Sequence, residues 1–100
     1  MLLVVDIGNT NIVLGLYQGD KLENYWRLAT QLQTTDDQYG ILLHNLFTMS
    51  GVTFEQVNGV ILSSVAPPVE SAFVRGIQRH MKRRPLVVGP GLRTGMRIVY

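Results

Sequence analysis

Apolar residues in the first third of the chain come in short runs that polar residues separate, a pattern typical of β-strands. Three such stretches predict strands: residues 2–6, 11–17 and 21–30. The first is a continuous Leu/Val run, which suits a strand buried on both faces of a sheet. In the second, Ile12, Leu14 and Leu16 fall on one side because side chains alternate along a strand. The opening of the chain is therefore expected to be a meander of three strands.

Two helices are predicted after the meander. Thr35-Asp36-Asp37-Gln38 resembles a capping box, and apolar residues follow at helical spacing until Gly51, so a helix is expected at about residues 36–50. A second helix begins at Pro67-Pro68, because proline lacks the amide that would be left unpaired there. From that point apolar residues recur at every fourth position through Met81.

Two more strands complete the predicted order βββαβαβ. Residues 57–65 form a buried apolar run between the helices, and Pro85-Leu86-Val87-Val88 forms a short run after the second helix. This order predicts an α/β fold, a mixed sheet with helices on its faces. One hundred residues make one domain or part of one, and the length is small for a two-sided α/β domain, which suggests a fragment.

Composition and charge exclude several classes of protein. The chain is 46% hydrophobic and 16% charged, which supports a packed core and argues against disorder. A formal charge of +2 is too small to indicate nucleic acid as a partner. There is no cysteine for a disulfide or a thiolate zinc site, which is compatible with the cytosol, and we expect a cytoplasmic protein. Asp6 interrupts the apolar N-terminus, and no run approaches the roughly 18 apolar residues of a membrane span, so neither a signal peptide nor a membrane is expected.

The polar stretch Asp6–Asn11, between the first two predicted strands, is the main candidate for chemistry. A carboxylate at the end of a buried strand must be hydrogen-bonded, paired or metal-bound, and carboxylate oxygens suit Mg²⁺. Gly8 lets the backbone approach a ligand, and consecutive amides in a turn can bind an anion. The alternative is a plain hairpin turn, since Gly, Asn and Asp are common in hairpins. The residues alone leave both interpretations open.

Other candidate groups give weaker signals. The loop Gly89–Gly95 follows a strand but matches neither common phosphate-loop pattern, so a structural turn is favoured. Ser63-Ser64 lies at a strand end, where it could contact a ligand or only cap the strand. His44 and His80 have no partners at metal-ligand spacing. The basic cluster, defined as the cations of residues 79–84, is favoured as a helix end that offsets the helix dipole rather than a nucleic-acid surface.

Taken together, the motifs resemble the N-terminal part of type III pantothenate kinase. The motifs that carry the resemblance occur in the order of the family: Asp6–Asn11, Asp36–Gly40, Ser63–Pro67, Val88–Gly91, Thr94-Gly95 and Tyr100. The family belongs to the superfamily of acetate kinases, sugar kinases, Hsp70 and actin. The resemblance therefore implies a ribonuclease-H-like, actin-type ATPase domain, of which residues 1–100 would be the N-terminal part.

The resemblance also implies a reaction and its participants. The family transfers a phosphoryl group from ATP to pantothenate, giving 4′-phosphopantothenate in the first step of coenzyme A synthesis. It uses Mg²⁺ and a monovalent cation, K⁺ or NH₄⁺, and it forms homodimers. By resemblance Asp6 helps to hold Mg²⁺, and Tyr100 contacts pantothenate. The implied ATP-binding residues are those of the phosphate-binding hairpin: Asp6, Ile7, Gly8, Asn9, Thr10, Asn11, Ile12 and Val13.

The chain departs from the family in its extent. Family members carry an Asn-Pro and a Gly-Ala-Asp-Arg stretch after the position of Tyr100, and the aspartate of that stretch is the proposed general base. We therefore expect no catalytic base within the chain, with the rest of the first domain and the second domain lying outside it. The chain alone is expected to be inactive, and a complementary C-terminal fragment is a conceivable partner.

Two alternatives to pantothenate phosphorylation remain from the sequence. One is a non-catalytic transcriptional regulator that binds DNA, which the basic cluster could serve. The other is a kinase of the same superfamily that acts on a different small alcohol. Salt-dependent DNA binding would support the first, and a comparison of substrates would decide the second.

Overall fold

The computed structural model describes residues 1–89. Five strands form one sheet: β1 (Leu2–Ile7), β2 (Asn11–Gln18), β3 (Lys21–Ala29), β4 (Gly59–Ser64) and β5 (Leu86–Val88). Their order across the sheet is β3-β2-β1-β4-β5. β1 pairs antiparallel with β2 and parallel with β4, and β4 pairs parallel with β5. The predicted α/β fold with a mixed sheet and the order βββαβαβ is confirmed.

Two helices, α1 (Asp36–Met49) and α2 (Pro67–Gly76), connect the strands and cover one face of the sheet. In β1, Leu3, Val5 and Ile7 point to that face and are fully buried. Their cross-strand neighbours are also in the core: Ile12, Leu14 and Leu16 on β2, and Val60 and Leu62 on β4. Because side chains alternate along a strand, Val4 and Asp6 lie on the opposite face.

The caps of α1 follow the predicted pattern. The Thr35 hydroxyl accepts a hydrogen bond from the Gln38 amide, and the Gln38 side chain accepts one from the Thr35 amide, so the predicted capping box is confirmed. The helix ends at Met49, and Gly51 has a φ of 73°, a left-handed conformation that glycine adopts easily. The predicted helix bounds therefore agree with the structure.

The second helix begins at Pro67-Pro68 as predicted, but its last turn differs from an α-helix. Residues Ile77–Met81 form a π-helical turn, and Lys82 follows with a φ of 61°. Residues spaced by four drift about 40° per step around an α-helix. The wider π-turn offsets that drift, so Ile77 and Met81 are both buried. A short 3₁₀-helix, Phe54–Gln56, which the sequence pattern did not predict, precedes β4.

Both apolar contacts and ion pairs hold α1 against α2 and against the π-helical turn that follows it. The rings of Tyr39 and Phe73 lie 4.7 Å apart between their centroids. At one edge Arg79 lies 3.2 Å from Asp36, and His80 lies 3.0 Å from Asp37. Burial raises the pKa of the Asp36 carboxyl, but the Asp37 amide and the guanidinium of Arg79 outweigh burial and lower that pKa overall.

Two cations of the basic cluster make contacts that the sequence did not predict. Arg79 pairs with Asp36 and Asp37 of α1, and the Arg83 side chain donates a 2.8 Å hydrogen bond to the carbonyl of Val57. These two cations therefore connect the π-helical turn and the residues after it to α1 and to Val57, and the predicted role at the helix end stays a prediction. Within residues 1–89, no helix has the length and hydropathy needed to cross a membrane.

Candidate functional site

The stretch Asp6–Asn11 forms the connection between the two central strands. Ile7 is paired with Ile12, and the Gly8 amide donates a 2.8 Å hydrogen bond to the Asn11 carbonyl, so Asn9 and Thr10 form the outer corner. The connection lies at the carboxyl end of β1. Its parallel neighbour β4 ends at the same edge, where open α/β sheets commonly bind ligands.

Gly8 lies at a close approach within the turn itself. A Cβ atom at this position would lie 3.1 Å from the carbonyl oxygen of Asn11, closer than most such contacts. The predicted reason for this glycine was approach to a ligand, and that reason stays a prediction. The structure adds a local reason, because the two sides of the hairpin approach each other closely at Gly8.

Asp6 lies on the face of the sheet that α1 and α2 leave uncovered, beside a serine of the next strand. It pairs with Ser63 in the parallel register, and the Ser63 hydroxyl donates a 3.1 Å hydrogen bond to Oδ1 of Asp6. Ser63 is only 1% exposed, so packing fixes its position. The neighbouring Ser64 accepts a 3.0 Å hydrogen bond from the Ala66 amide just before α2. The two serines therefore differ: Ser63 holds the carboxylate, and Ser64 caps the strand end.

The corner of the hairpin offers backbone donors. Asn9 and Thr10 are exposed, and among residues 1–89 no group accepts a hydrogen bond from either of their backbone amides. The side chain of Asn11 donates to the Thr10 hydroxyl at 3.1 Å. Successive amides that have no acceptor within the described residues can bind an anion such as a phosphate group.

The other predicted ATP-binding residues divide by burial. The side chains of Ile7 and Ile12 are fully buried in the core, so only their backbone could meet a ligand. Val13 is half-buried and pairs with Asp6, which places it on the same face as the carboxylate. Tyr100 and nearly all of the loop Gly89–Gly95 lie outside the described residues.

The donor set around Asp6 suits a hard cation that keeps most of its water. Within the described part of the chain there is no group of three or more His, Asp or Glu residues placed to hold a metal. Mg²⁺ is usually held by one or two carboxylates, with water and substrate phosphates as the other ligands. One carboxylate beside backbone amides that have no acceptor among the described residues fits that mode of binding.

Thr30 is a residue of the site that the sequence did not indicate. It follows β3 directly, and its amide donates a 2.9 Å hydrogen bond to the Thr10 carbonyl. Its hydroxyl donates another, also 2.9 Å, to the Gly8 carbonyl. Only the register of β2 and β3, in which Asn11 faces Ala29, brings Thr30 to the hairpin.

Comparison with solved structures defines the class of the fold. The chain superposes on a ROK hexokinase from Thermus thermophilus with a TM-score of 0.62 at 15% identity, covering 88% of this chain and 33% of that one. It superposes on YeaZ from Pseudomonas aeruginosa with a TM-score of 0.59 at 18% identity, covering 88% and 44%. The chain therefore shares the fold of the matched part of these structures, an actin-type α/β domain.

Sequence comparison then identifies the family. The type III pantothenate kinase family profile matches residues 2–100, and the chain belongs to that family. It is 51% identical over 100 residues to the type III pantothenate kinase of Brevibacillus brevis and 55% identical over 98 residues to that of an Exiguobacterium species. These matches cover 100% and 98% of this chain, but only 39% of each relative.

Proposed function

We propose that the full-length protein transfers the γ-phosphoryl group of ATP to pantothenate, and that the hairpin at Asp6–Asn11 binds the ATP phosphates. Family membership supports the reaction. The observation that carries the role of the hairpin is the Asp6 carboxylate, held by Ser63 in the same hairpin as the amides of Asn9 and Thr10, which have no acceptor within residues 1–89. A negative group for a cation and donors for an anion lie at one edge of the sheet.

In this proposal the residues of the chain hold the metal ion and the phosphates in place, and none of them takes part in a covalent or proton-transfer step. Asp6 would hold the hydrated Mg²⁺, and the amides of Asn9 and Thr10 would donate hydrogen bonds to phosphate oxygens. Mg²⁺ held there would supply positive charge against the negative charge that develops on the phosphates during transfer. Phosphoryl transfer depends mainly on such positioning and neutralisation, so a rigid hairpin is a suitable support.

The remaining parts of the proposal follow from the family resemblance. We place residues 1–100 in the N-terminal part of the first kinase domain, with Tyr100 at pantothenate. A monovalent cation, a homodimer and a cytoplasmic location complete the proposal. The DNA-binding alternative is not favoured, because Arg79 and Arg83 of the basic cluster are engaged within the chain.

The test is to replace Asp6 in the full-length protein. Asp6→Ala and the isosteric Asp6→Asn should each lower kcat for 4′-phosphopantothenate formation by about a hundredfold or more, since an electrostatic contact of the transition state is lost. Product is measured by mass spectrometry, and circular dichroism checks that the fold is retained. Asp20→Ala, which removes an exposed carboxylate in the turn between β2 and β3, is the matched control.

The outcome also separates the parts of the proposal. A near-wild-type rate in folded Asp6→Ala would remove Asp6 from the metal role. A wild-type protein that hydrolyses or binds ATP but phosphorylates another small alcohol faster than pantothenate would overturn the substrate assignment and leave the hairpin assignment standing.

A further inference from the structure

The hairpin corner lies in a four-residue connection, 8–11, between the paired Ile7 and Ile12. Lys82 is the only non-glycine residue with positive φ within residues 1–89, so Asn9 and Thr10 both have negative φ, as in the type I turns on which four-residue connections are most often built. Within the connection, one hydrogen bond, from the Gly8 amide to the Asn11 carbonyl, closes the loop. Contacts from outside the hairpin therefore add to the definition of this corner.

Thr30 supplies two such contacts, one on each side of Asn9. Its amide binds the Thr10 carbonyl and its hydroxyl binds the Gly8 carbonyl, both at 2.9 Å. The hydroxyl is partly buried, which limits competition from water. Two short hydrogen bonds from one residue fix the corner more firmly than either bond alone.

The hydroxyl contact also fixes the direction of a candidate phosphate donor. The Gly8 carbonyl and the Asn9 amide belong to one planar trans peptide, so they point in opposite directions. Since the carbonyl points to Thr30, the Asn9 N–H points away from Thr30. If the Thr30 hydroxyl were lost, that peptide plane could rotate and take the donor with it.

We propose that Thr30 is a positioning residue for ATP, and that its hydroxyl holds the Gly8–Asn9 peptide with the Asn9 N–H directed at a phosphate. The proposal rests on the function proposed above, because it assumes that the hairpin binds ATP. Thr30 itself need not touch the nucleotide. Its effect should therefore appear in the use of ATP and not in the use of pantothenate.

The test compares three variants in the full-length protein. Thr30→Val removes the hydroxyl but keeps the branched shape and the backbone amide, and should lower kcat/KM for ATP by about fivefold to a hundredfold. KM for pantothenate should stay within about twofold of wild type, since this contact does not involve the alcohol. Thr30→Ser keeps the donor and should restore most of the loss. Thr53→Val, at an exposed threonine whose hydroxyl lies 3.5 Å from the Gln56 side chain, is the matched control.

Two further measurements make the outcome decisive. If Thr30→Val unfolds, Thr30→Cys gives the same comparison, because a thiol is a small but weak donor. ATP affinity measured by calorimetry in the absence of pantothenate tests the role of Thr30 whether or not pantothenate is the alcohol that the protein phosphorylates. Equal ATP affinity and equal kcat/KM in wild type, Thr30→Val and Thr30→Ser would overturn the proposal, and would leave pantothenate phosphorylation by the wild type unaffected.

Discussion

At the scale of single residues, the site depends on side chains that hold other groups in place. Asp6 is held by the hydroxyl of Ser63, and the peptide after Gly8 is held by that of Thr30. One hydroxyl comes from β4 and the other from the residue that follows β3, and neither lies on the exposed corner. The candidate binding groups and their supports are thus different residues, and they can be tested separately.

Ser63→Ala should weaken the hold on Asp6 without removing the carboxylate. We expect kcat to fall less than in Asp6→Ala, by roughly threefold to tenfold, and the unfolding free energy to fall by about 1 kcal/mol for one lost hydrogen bond. The informative measurement is the Mg²⁺ concentration that gives half-maximal rate, which should rise. Ser71→Ala is the control, because its exposed hydroxyl accepts a hydrogen bond from Arg75 of the same helix and makes none to Asp6. An unchanged Mg²⁺ dependence would contradict a role for Ser63 at the carboxylate.

Much of the candidate site was predictable at this scale, but not all of it. Asp6 was found because a charge at the end of an apolar strand is unusual whatever the fold. The choice between ligand contact and capping for Ser63 needed the parallel register with β1, which pairs residues 57 positions apart. Thr30 gave no signal, because a threonine at a strand end is ordinary until its neighbour across the sheet is known.

At the scale of elements, the packing of α1 against α2 and against the π-helical turn that follows α2 depends on two glycines. A Cβ atom on Gly76 would lie 2.7 Å from the carbonyl oxygen of Asp36, and one on Gly40 would overlap the ring of His80. The His80 ring in turn pairs with Asp37 on the first turn of α1. The close approach of the helices, and the ion pairs between them, therefore depend on having glycine, which has no side chain, at positions 40 and 76.

Gly40→Ala should destabilise the protein even though alanine favours helices. In an exposed helix this change stabilises by up to about 1 kcal/mol. Here we expect a loss of about 1–3 kcal/mol in urea unfolding, because the added methyl displaces His80. The double variant Gly40→Ala/His80→Ala should recover most of that loss, since the overlap is gone.

Gly59→Ala serves as the control for that prediction. A Cβ atom there would lie at an ordinary contact distance, 3.6 Å from the Leu2 side chain. A Gly40→Ala variant more stable than wild type, or a double variant no better than the single one, would show that this helix contact is looser than the structure indicates.

The elements themselves were largely predictable, because amphipathic spacing and caps are local signals. The capping box at Thr35 and the paired prolines at Pro67 placed both helix starts correctly. The π-turn was missed because a four-residue spacing also suits an α-helix over two or three turns. The 3₁₀-helix at Phe54–Gln56 is too short for any periodic pattern to show.

At the scale of the whole molecule, the two faces of the sheet differ: one packs against the helices, and the other carries the candidate site. The helices and the apolar core lie on one face, and the row that contains Asp6 and Ser63 lies on the other. The order of strands across the sheet was not predictable from the elements alone, because the same βββαβαβ order allows several pairings of the fourth strand. The described residues show β4 beside β1, which brings the serine to the carboxylate.

The central place of β1 has a consequence for how the site is made during folding. Its partner β2 follows within one tight connection, whereas β4 arrives only after α1, and closing that long loop costs more entropy. We therefore expect the β1–β3 meander to form early in refolding, with the contact from Thr30 already made and the one from Ser63 still missing. Folding kinetics of Leu14→Ala in β2 and Val60→Ala in β4 would check this. Leu14 should show the higher φ-value, and equal values would mean that both sides of β1 are assembled together.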